Sequence, residues 1–211
     1  RSTPNPNYPL HAMTRSLRES GAPSVVEALG ISAVRSVLAG QQAQRSVVVI
    51  VVGETARAAN FSLNGYERDT NPELRQQDIV NFSNTSSCGT STAESLPCMF
   101  SHLAREDYSV RKAASYENLL DILQHAGLQV WWLDNNSGCK GACKRVQQLD
   151  LARFAHKNIC PDDECLDHIL VEGMKDILAT TTGDQVIVLH QKGSHGPAYY
   201  KRVPAAFRRY Q

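Results

Sequence analysis

This 211-residue sequence has no excess of one charge sign, no polybasic run and no low-complexity tract. The charge is balanced, with 22 Lys and Arg against 21 Asp and Glu, which leaves a formal net charge of +1 at pH 7. Nucleic acids attract proteins through concentrated positive charge, so we expect no nucleic-acid partner. The function must be sought in local patterns of residues instead.

Long hydrophobic runs are also missing. The longest strictly aliphatic stretch is Val47 to Val52, far shorter than the roughly 20 residues that cross a bilayer as a helix. No signal peptide is visible, and the sequence begins with Arg1 rather than Met, so we interpret it as a processed or excised piece. Its length predicts one domain with a sizeable core.

The N-terminal fifth reads differently from the rest. Residues 1–20 contain three prolines and scattered charges, which is typical of a linker or an extended arm. From Ser24 to Leu38 the apolar residues recur on one helical face, with Ser24 as N-cap and Glu27 three residues later. Residues 1–44 are therefore predicted to be a linker and an amphipathic helix, and residues 45–211 the folded domain.

The six cysteines form three close pairs in the sequence, and an even number in local pairs indicates an oxidising compartment. Proximity favours three local disulfides. A zinc site built from the last four cysteines stays open as an alternative, although its spacings are longer than the favoured ones. The pairs are Cys88 with Cys98, Cys139 with Cys143, and Cys160 with Cys165.

Strand and helix patterns alternate from residue 45 onward. The continuous β-branched run to Val52 is typical of a strand buried on both faces, and three further apolar runs predict strands. Helical periodicity separates them, so we predict an α/β fold, an α/β/α sandwich around a mixed sheet. The predicted strands are Val47–Val52, Ile79–Phe82, Leu128–Leu133 and Gln185–Leu189, and the predicted helices are Thr92–Leu103, Tyr116–Ala126 and Glu164–Ala179.

Polar side chains follow three of these strands, where ligands bind in open α/β sheets. Glu54 follows the first, Asp134 to Asn136 the second, and His190 to His195 the third. Such a set suits Zn²⁺. Each residue also has an ordinary interpretation: Glu54 as a partner of a nearby arginine, His195 as a structural histidine.

The polar stretch from Asn84 to Met99 predicts a turn into a helix, with Thr92 at or near the N-terminus. There the helix dipole and free N–H groups favour an anion, so the Thr92 hydroxyl is a candidate for attack on phosphorus. A metal would lower the pKa of that hydroxyl, and Lys140 would neutralise a phosphate. The alternative is an ordinary Ser/Thr cap.

Four segments together resemble the lipid A phosphoethanolamine transferases, which include the mobile colistin-resistance proteins. The resemblance covers about residues 45–202, in order and with matching spacing. The segments are Val-Val-Gly-Glu54-Thr-Ala-Arg-Ala-Ala-Asn-Phe, Thr-Ser-Ser-Cys88-Gly-Thr-Ser-Thr92-Ala-Glu-Ser-Leu-Pro-Cys98, Asp134-Asn-Asn-Ser-Gly-Cys139-Lys140-Gly-Ala-Cys143 and His190-Gln-Lys-Gly-Ser-His195-Gly-Pro.

The resemblance implies an alkaline phosphatase/sulfatase-like fold at the periplasmic face of the bacterial inner membrane, after a membrane domain. Thr92 matches the nucleophile that takes phosphoethanolamine from phosphatidylethanolamine and passes it to a lipid A phosphate, which gives colistin resistance. Glu54 and Thr92 match zinc ligands, and His195 matches a residue that binds a second zinc. Asn136, Lys140 and His195 match contacts to the donor head group, and the cysteine pairs match disulfides.

The sequence departs from the family in one respect. The family's Asp-His-Gly-Glu-Ser segment, which supplies two further zinc ligands, has no counterpart, because the sole Asp-His pair is Asp167-His168 in a predicted helix. We therefore expect a C-terminally incomplete domain that binds zinc poorly and is inactive alone. Two other functions stay open: a zinc-dependent phosphodiesterase of the same superfamily, and a non-catalytic fragment held by disulfides.

Overall fold

The structure is a computed structural model that describes residues 25–35, 45–153, 159–160, 164–197 and 199–208. Four strands form one sheet in the order β1-β4-β2-β3, and all three pairings are parallel. The expected mixed sheet is therefore wrong for the described residues, which form a parallel one. The strands are β1 (Val47–Val52), β2 (Gln129–Asp134), β3 (Gln147–Asp150) and β4 (Gln185–His190).

Among the described residues four α-helices accompany the sheet, and they include the three helices predicted after residue 45, which are confirmed with shorter bounds. They are α1 (Thr92–Phe100), α2 (Val110–Ala113), α3 (Leu119–His125) and α4 (His168–Thr180). Helix α3 begins at a capping box, in which the Asn118 side chain accepts from the backbone of the first turn and Asp121 accepts from the Asn118 N–H. Short 3₁₀ turns span Ala58–Asn60, Ser62–Asn64, Leu74–Gln76, Leu151–Arg153, Tyr199–Arg202 and Ala205–Phe207.

The two faces of the sheet carry separate hydrophobic cores, which confirms the three-layer α/β/α arrangement. Trp132 and Val188 face helices α1 and α3, where they pack with Leu96 and Leu120. The neighbouring strand residues point the other way, against helix α4. Alternation along β2 and β4 thus places consecutive residues in different layers.

Strand β1 is not buried on both faces, contrary to the sequence prediction. It lies at the edge of the sheet and pairs with β4 alone among the described residues. Its valines at 48 and 51 are 50% and 57% exposed, and Val52 is buried. The β-branched run fits a strand, but burial also depends on the strand's place in the sheet, which the run does not encode.

The segment Ile79–Phe82, predicted as a strand, forms no ladder. Val80 and Phe82 are 81% and 77% exposed. The Asn81 side chain donates instead to the carbonyl of Leu63 and to Asn64. Without a neighbouring strand to pair with, this apolar run forms a loop. The turn before Thr92 therefore follows a loop and not the strand predicted at residues 79–82.

The predicted amphipathic helix is wrong for residues 25–35, which form a β-bridge and a turn. Glu27 forms a bridge with Tyr116, and the Leu29 N–H donates to Glu117 at 2.9 Å. Gly30 has φ of +63°, which interrupts a right-handed helix. Ser24, residues 36–44 and the arm at 1–20 lie outside the described residues, so the boundary at residue 44 stays a prediction.

All six cysteines are paired as proximity favoured: Cys88 with Cys98, Cys139 with Cys143 and Cys160 with Cys165. Disulfide sulfurs are not thiolate ligands, so the alternative of a four-cysteine zinc site is wrong.

No helix in the described ranges is long and apolar enough to cross a membrane.

The loop after the second disulfide is tied to helix α3 by one ion pair, which generates a stability prediction. Arg145 donates to both carboxylate oxygens of Asp121, at 2.7 and 2.6 Å, and the Asp121 side chain is 4% exposed. Arg145→Ala removes both of these donors from the buried Asp121 carboxylate. It should therefore lower the free energy of unfolding by about 2 kcal/mol. Urea denaturation measures this, with exposed Lys144→Ala as the control. Equal stability of the two variants would contradict the prediction.

Candidate active site

The C-terminal ends of three strands lie in one row. Val52, His190 and Asp134 are partners across β1, β4 and β2. Residues immediately after these positions therefore emerge at the same end of the sheet, which confirms the predicted convergence of Glu54, Asn136 and the segment after His190.

Thr92 is the first residue of helix α1, and its side chain contacts Glu54. The Thr92 hydroxyl donates to Oε2 of Glu54 at 2.7 Å, and the Thr55 hydroxyl donates to Oε1 at 2.8 Å. Ser91 occupies the N-cap position without a side-chain capping bond. Thr92 therefore does not act as an ordinary cap: its hydroxyl binds a carboxylate from another element, at the positive end of a helix.

The Glu54 carboxyl is held ionised by its neighbours. Partial burial raises its pKa, but the hydrogen bonds from Thr92, Thr55 and Asn136 outweigh burial and lower the pKa below its ordinary value. The electrostatic interaction with His195 lowers the Glu54 pKa as well. Thr55 itself has φ of +54°, a strained conformation for a β-branched residue.

Helix α1 depends on its packing, because it has nine residues and contains Pro97. Leu96 and Phe100 are buried, and the Phe100 ring lies edge-on to Trp132 with centroids 5.7 Å apart. The Cys88–Cys98 disulfide joins the preceding loop to the helix. These contacts fix the direction in which Thr92 emerges.

Asn136 lies between the Thr92–Glu54 pair and a cleft. Its Nδ2 donates to the carbonyl of Gln191 at 2.9 Å and lies 3.4 Å from Oε2 of Glu54. The cleft has a volume of about 320 Å³ and holds both charge signs. Its lining residues are Asn136, Ser137, Glu164, Lys192, His195, Gly196 and Arg202.

The other two predicted substrate residues lie at this cleft or beside it. His195 is exposed on the lining, with Nδ1 at 2.7 Å from the carbonyl of Gly196. The Lys140 ammonium donates to the carbonyl and hydroxyl of Ser137, at 2.6 and 2.8 Å. The structure thus brings together Thr92, Glu54 and Asn136 by direct contact, and places His195 and Lys140 around them.

The described residues do not complete a zinc site. Glu54 and Thr92 offer two oxygen donors, whereas protein zinc sites use three or four protein ligands. No group of three or more His, Cys, Asp and Glu side chains within the described ranges is arranged to hold a metal. Glu54 and Thr92 therefore fit part of a zinc ligand set, and the described residues do not supply the rest.

Two of the strand-end residues that were expected to suit Zn²⁺, Asp134 and His190, instead form a buried cluster with Trp132 beneath Asn136. Oδ2 of Asp134 accepts from the Trp132 indole at 2.9 Å and lies 2.8 Å from Nδ1 of His190. Burial raises the Asp134 pKa, but these bonds and the backbone N–H of Asn136 lower it to about 2. The available signal was the spacing of Trp132 and Asp134, two apart and so on one face of β2.

Asp167 escaped the sequence analysis, which placed it in mid-helix. It lies at the N-cap position of α4 and accepts from the backbone N–H of Lys192 and of Gly193, at 2.8 and 2.9 Å. It therefore fixes the turn that leads to His195. Gly193 has φ of +51°, and a Cβ there would overlap the carbonyl oxygen of Glu54.

Comparisons with known proteins point to one group. The family model described as Sulfatase matches residues 46–211. The phosphoethanolamine transferase EptA of Escherichia coli K12 is 47% identical over 182 residues, which are 86% of this chain and 33% of the relative. The phosphatidylethanolamine transferase Mcr-1 of Escherichia coli is 46% identical over 78% of this chain and 32% of its own length. The chain thus spans about a third of these curated relatives.

Solved structures agree with these relatives. The soluble domain of lipooligosaccharide phosphoethanolamine transferase A from Neisseria meningitidis superposes with a TM-score of 0.83 at 48% identity, covering 89% of this chain and 56% of that domain. The periplasmic domain of EcEptC from Escherichia coli, solved as a complex with zinc, has a TM-score of 0.62 at 20% identity over 78% of this chain and 48% of that one. The second likeness shows the fold alone. The alkaline phosphatase/sulfatase-like fold is confirmed.

Gly193→Ala tests the close approach of two loops. The substitution should displace the Glu54 backbone and lengthen the Thr92–Glu54 hydrogen bond, because the new methyl group meets the Glu54 carbonyl. Gly65→Ala is the matched control, since Gly65 also has a positive φ, of +93°, with open space around it. Both should lose about 1 kcal/mol of stability from backbone strain. Crystal structures of the two variants decide, and an unmoved Glu54 in Gly193→Ala would refute the prediction.

Asp134→Asn should change how stability depends on pH. The folded-state pKa of Asp134, about 2, lies below the ordinary value of 3.8. The carboxylate therefore stabilises the fold above pH 3.8, and this contribution of about 2 kcal/mol disappears as pH falls toward 2. The stability difference between wild type and variant should shrink across that window. Urea titrations at each pH measure it, with exposed Asp176→Asn as control; a constant difference would count against the assignment.

Proposed function

The chain belongs to the sulfatase family, and on this premise we propose that it is the nucleophile-bearing part of a lipid A phosphoethanolamine transferase. The observation that carries the proposal is the 2.7 Å hydrogen bond from Thr92, at a helix N-terminus, to the Glu54 carboxylate. Its relatives at 46–47% identity are named for phosphoethanolamine or phosphatidylethanolamine transfer. Sulfate-ester hydrolysis is disfavoured because neither Cys88 nor Cys98 begins the Cys-x-Pro-x-Arg sequence that sulfatases modify.

The first half-reaction loads Thr92. Its Oγ attacks the phosphorus of phosphatidylethanolamine, the new Oγ–P bond forms, and the P–O bond to diacylglycerol breaks. The hydroxyl proton passes to Oε2 of Glu54, which already accepts it as a hydrogen bond, and the leaving alkoxide takes a proton from solvent. Because its pKa is lowered, Glu54 is ionised at neutral pH and available as that acceptor.

The second half-reaction unloads Thr92. A phosphate oxygen of lipid A attacks the same phosphorus, the Oγ–P bond breaks, and Thr92 recovers its proton from Glu54. The transferred amine reduces the negative charge of the lipid surface, which cationic polymyxins such as colistin need for binding. Colistin resistance is the expected cellular result.

Three residues are proposed to bind the donor head group. Asn136 and His195 line a cleft of about 320 Å³, and Lys140 is held by Ser137, which also lines it. A phosphoethanolamine group needs both cationic and hydrogen-bonding partners for its phosphate. The cleft residues supply both kinds.

Zinc dependence is part of the proposal. Glu54 and Thr92 would be two of the ligands of a zinc ion, and further ligands, with a second zinc at His195, would come from outside the described residues. A bound zinc lowers the pKa of a coordinated hydroxyl and polarises phosphoryl oxygens. With two ligands the chain alone should bind zinc weakly and be inactive or nearly so.

The proposed location is the periplasmic face of the bacterial inner membrane, next to a membrane domain. Two observations support it: the disulfides indicate an oxidising compartment, and the proposed donor and acceptor are membrane lipids.

A phosphoethanolamine adduct on Thr92 is the expected product of the first half-reaction. The chain, alone and within a longer protein that carries the whole catalytic domain of its relatives, is incubated with zinc and phosphatidylethanolamine and mapped by peptide mass. The longer wild-type protein should carry the adduct, Thr92→Ala should carry none, and Ser91→Ala should match wild type because its hydroxyl makes no capping bond. The 211-residue chain should carry little.

Two outcomes would change the interpretation. An unmodified Thr92 in the longer protein would refute the covalent route. Release of free phosphoethanolamine at the same rate with and without lipid A would instead favour a phosphodiesterase.

A further inference from the structure

A buried pair of side chains, His190 and Asp134, lies beneath the proposed nucleophile and takes no part in the chemistry described for it. They are 1% and 6% exposed, and both come from central strands of the sheet. His190 also packs against Trp132, with ring centroids 5.4 Å apart. Buried polar atoms need hydrogen-bond partners. The partners of this pair form a series of contacts through Asn136 and Glu54 to the Thr92 hydroxyl.

Asp134 determines which ring nitrogen of His190 carries the hydrogen. An ionised carboxylate accepts hydrogen bonds and donates none. Its Oδ2 lies 2.8 Å from Nδ1 of His190, so in the neutral form of the ring Nδ1 is the nitrogen that carries the hydrogen. Nε2 is then left with a lone pair, and it acts as an acceptor.

The Nε2 atom faces the side-chain amide of Asn136. Nδ2 of Asn136 lies 3.4 Å from it, 3.4 Å from Oε2 of Glu54 and 2.9 Å from the carbonyl of Gln191. All three neighbours are acceptors, so only the NH₂ group fits there. The amide oxygen points away and accepts from the Ser137 N–H at 2.8 Å.

We propose that Asp134 and His190 are positioning residues, which hold the Asn136 amide with its NH₂ group toward Glu54 and thereby keep Oε2 of Glu54 aligned with the Thr92 hydroxyl. Neither residue is a catalytic residue, since neither contacts Thr92 or Glu54 directly. The effect on rate rests on the proposed transferase function, whereas the orientation of the amide does not.

One alternative is that the pair serves stability alone. Trp132 connects it to Phe100 of helix α1, so any substitution there also affects packing. The test must therefore read orientation directly, and must compare variants of similar packing cost.

Nitrogen-15 NMR of the wild-type chain reads the orientation without any substitution. Long-range spectra should show His190 protonated at Nδ1, and the side-chain amide of Asn136 should be resolved as a hydrogen-bonded NH₂ group. Asp134→Asn, which places an amide against Nδ1, should change the tautomer and shift the Asn136 side-chain resonances. Protonation of wild-type His190 at Nε2 alone would overturn the proposal.

Two substitutions of His190 separate its two bonds. His190→Asn keeps a donor for Asp134 and removes the acceptor facing Asn136, whereas His190→Gln carries an amide oxygen out to the Nε2 position. In the full-length enzyme, His190→Asn should lower the maximal rate of Thr92 adduct formation by about 10–100-fold. The KM for phosphatidylethanolamine should change little, and His190→Gln should recover much of the rate.

His125→Asn is the matched control, because His125 forms a similar 2.8 Å pair with Glu117, remote in the fold from Thr92. It should leave the rate unchanged. Equal rates for His190→Asn and wild type, or equal losses in both His190 variants at equal stability, would overturn the positioning role. Absence of any adduct in wild type would refute the transferase proposal, while the NMR result on orientation would stand.

Discussion

The parallel register of β1, β4 and β2 is the constraint on which the candidate site depends. Because Val52, His190 and Asp134 share one row, the loops that follow them begin at the same level and within hydrogen-bonding distance. A slip of one residue would turn Asp134 and His190 to the opposite face of the sheet. The register is fixed in turn by two apolar cores, which bury alternate residues of β2 and β4 on opposite sides.

Helix α1 also contributes to the candidate site, through Thr92 at its N-terminus. The helix contains a proline and is short, yet its first residue must place a hydroxyl within 2.7 Å of Glu54. The ring contact between Phe100 and Trp132 provides the link, since Trp132 also donates to Asp134. One aromatic residue, Trp132, therefore connects helix α1 with the polar groups at the strand ends. Packing and polar geometry are parts of one arrangement here.

The sequence was sufficient for the layers and for the polar groups at the strand ends, because hydrophobic periodicity and β-branched runs are local signals. The sequence did not predict features that depend on contacts between residues far apart in the chain, such as strand order and strand pairing. Whether Val47–Val52 is central or peripheral depends on the strand order, and Ile79–Phe82 lacked a neighbour with which to pair. The left-handed backbone of Gly30 is incompatible with a right-handed helix through residues 25–35, although the apolar residues there recur with helical spacing. The Asp134–His190 contact joins residues 56 apart in the chain, which no local pattern encodes.

The position of β1 at the side of the sheet has a consequence for work with this chain in solution. Its outer side presents backbone N–H and C=O groups without a ladder among the described residues, flanked by valines that are up to 57% exposed. Flat β-branched strands in that situation are templates for a strand from another molecule. Any pairing of a second molecule with this edge would strengthen as protein concentration rises, so dilution series belong in every quantitative experiment.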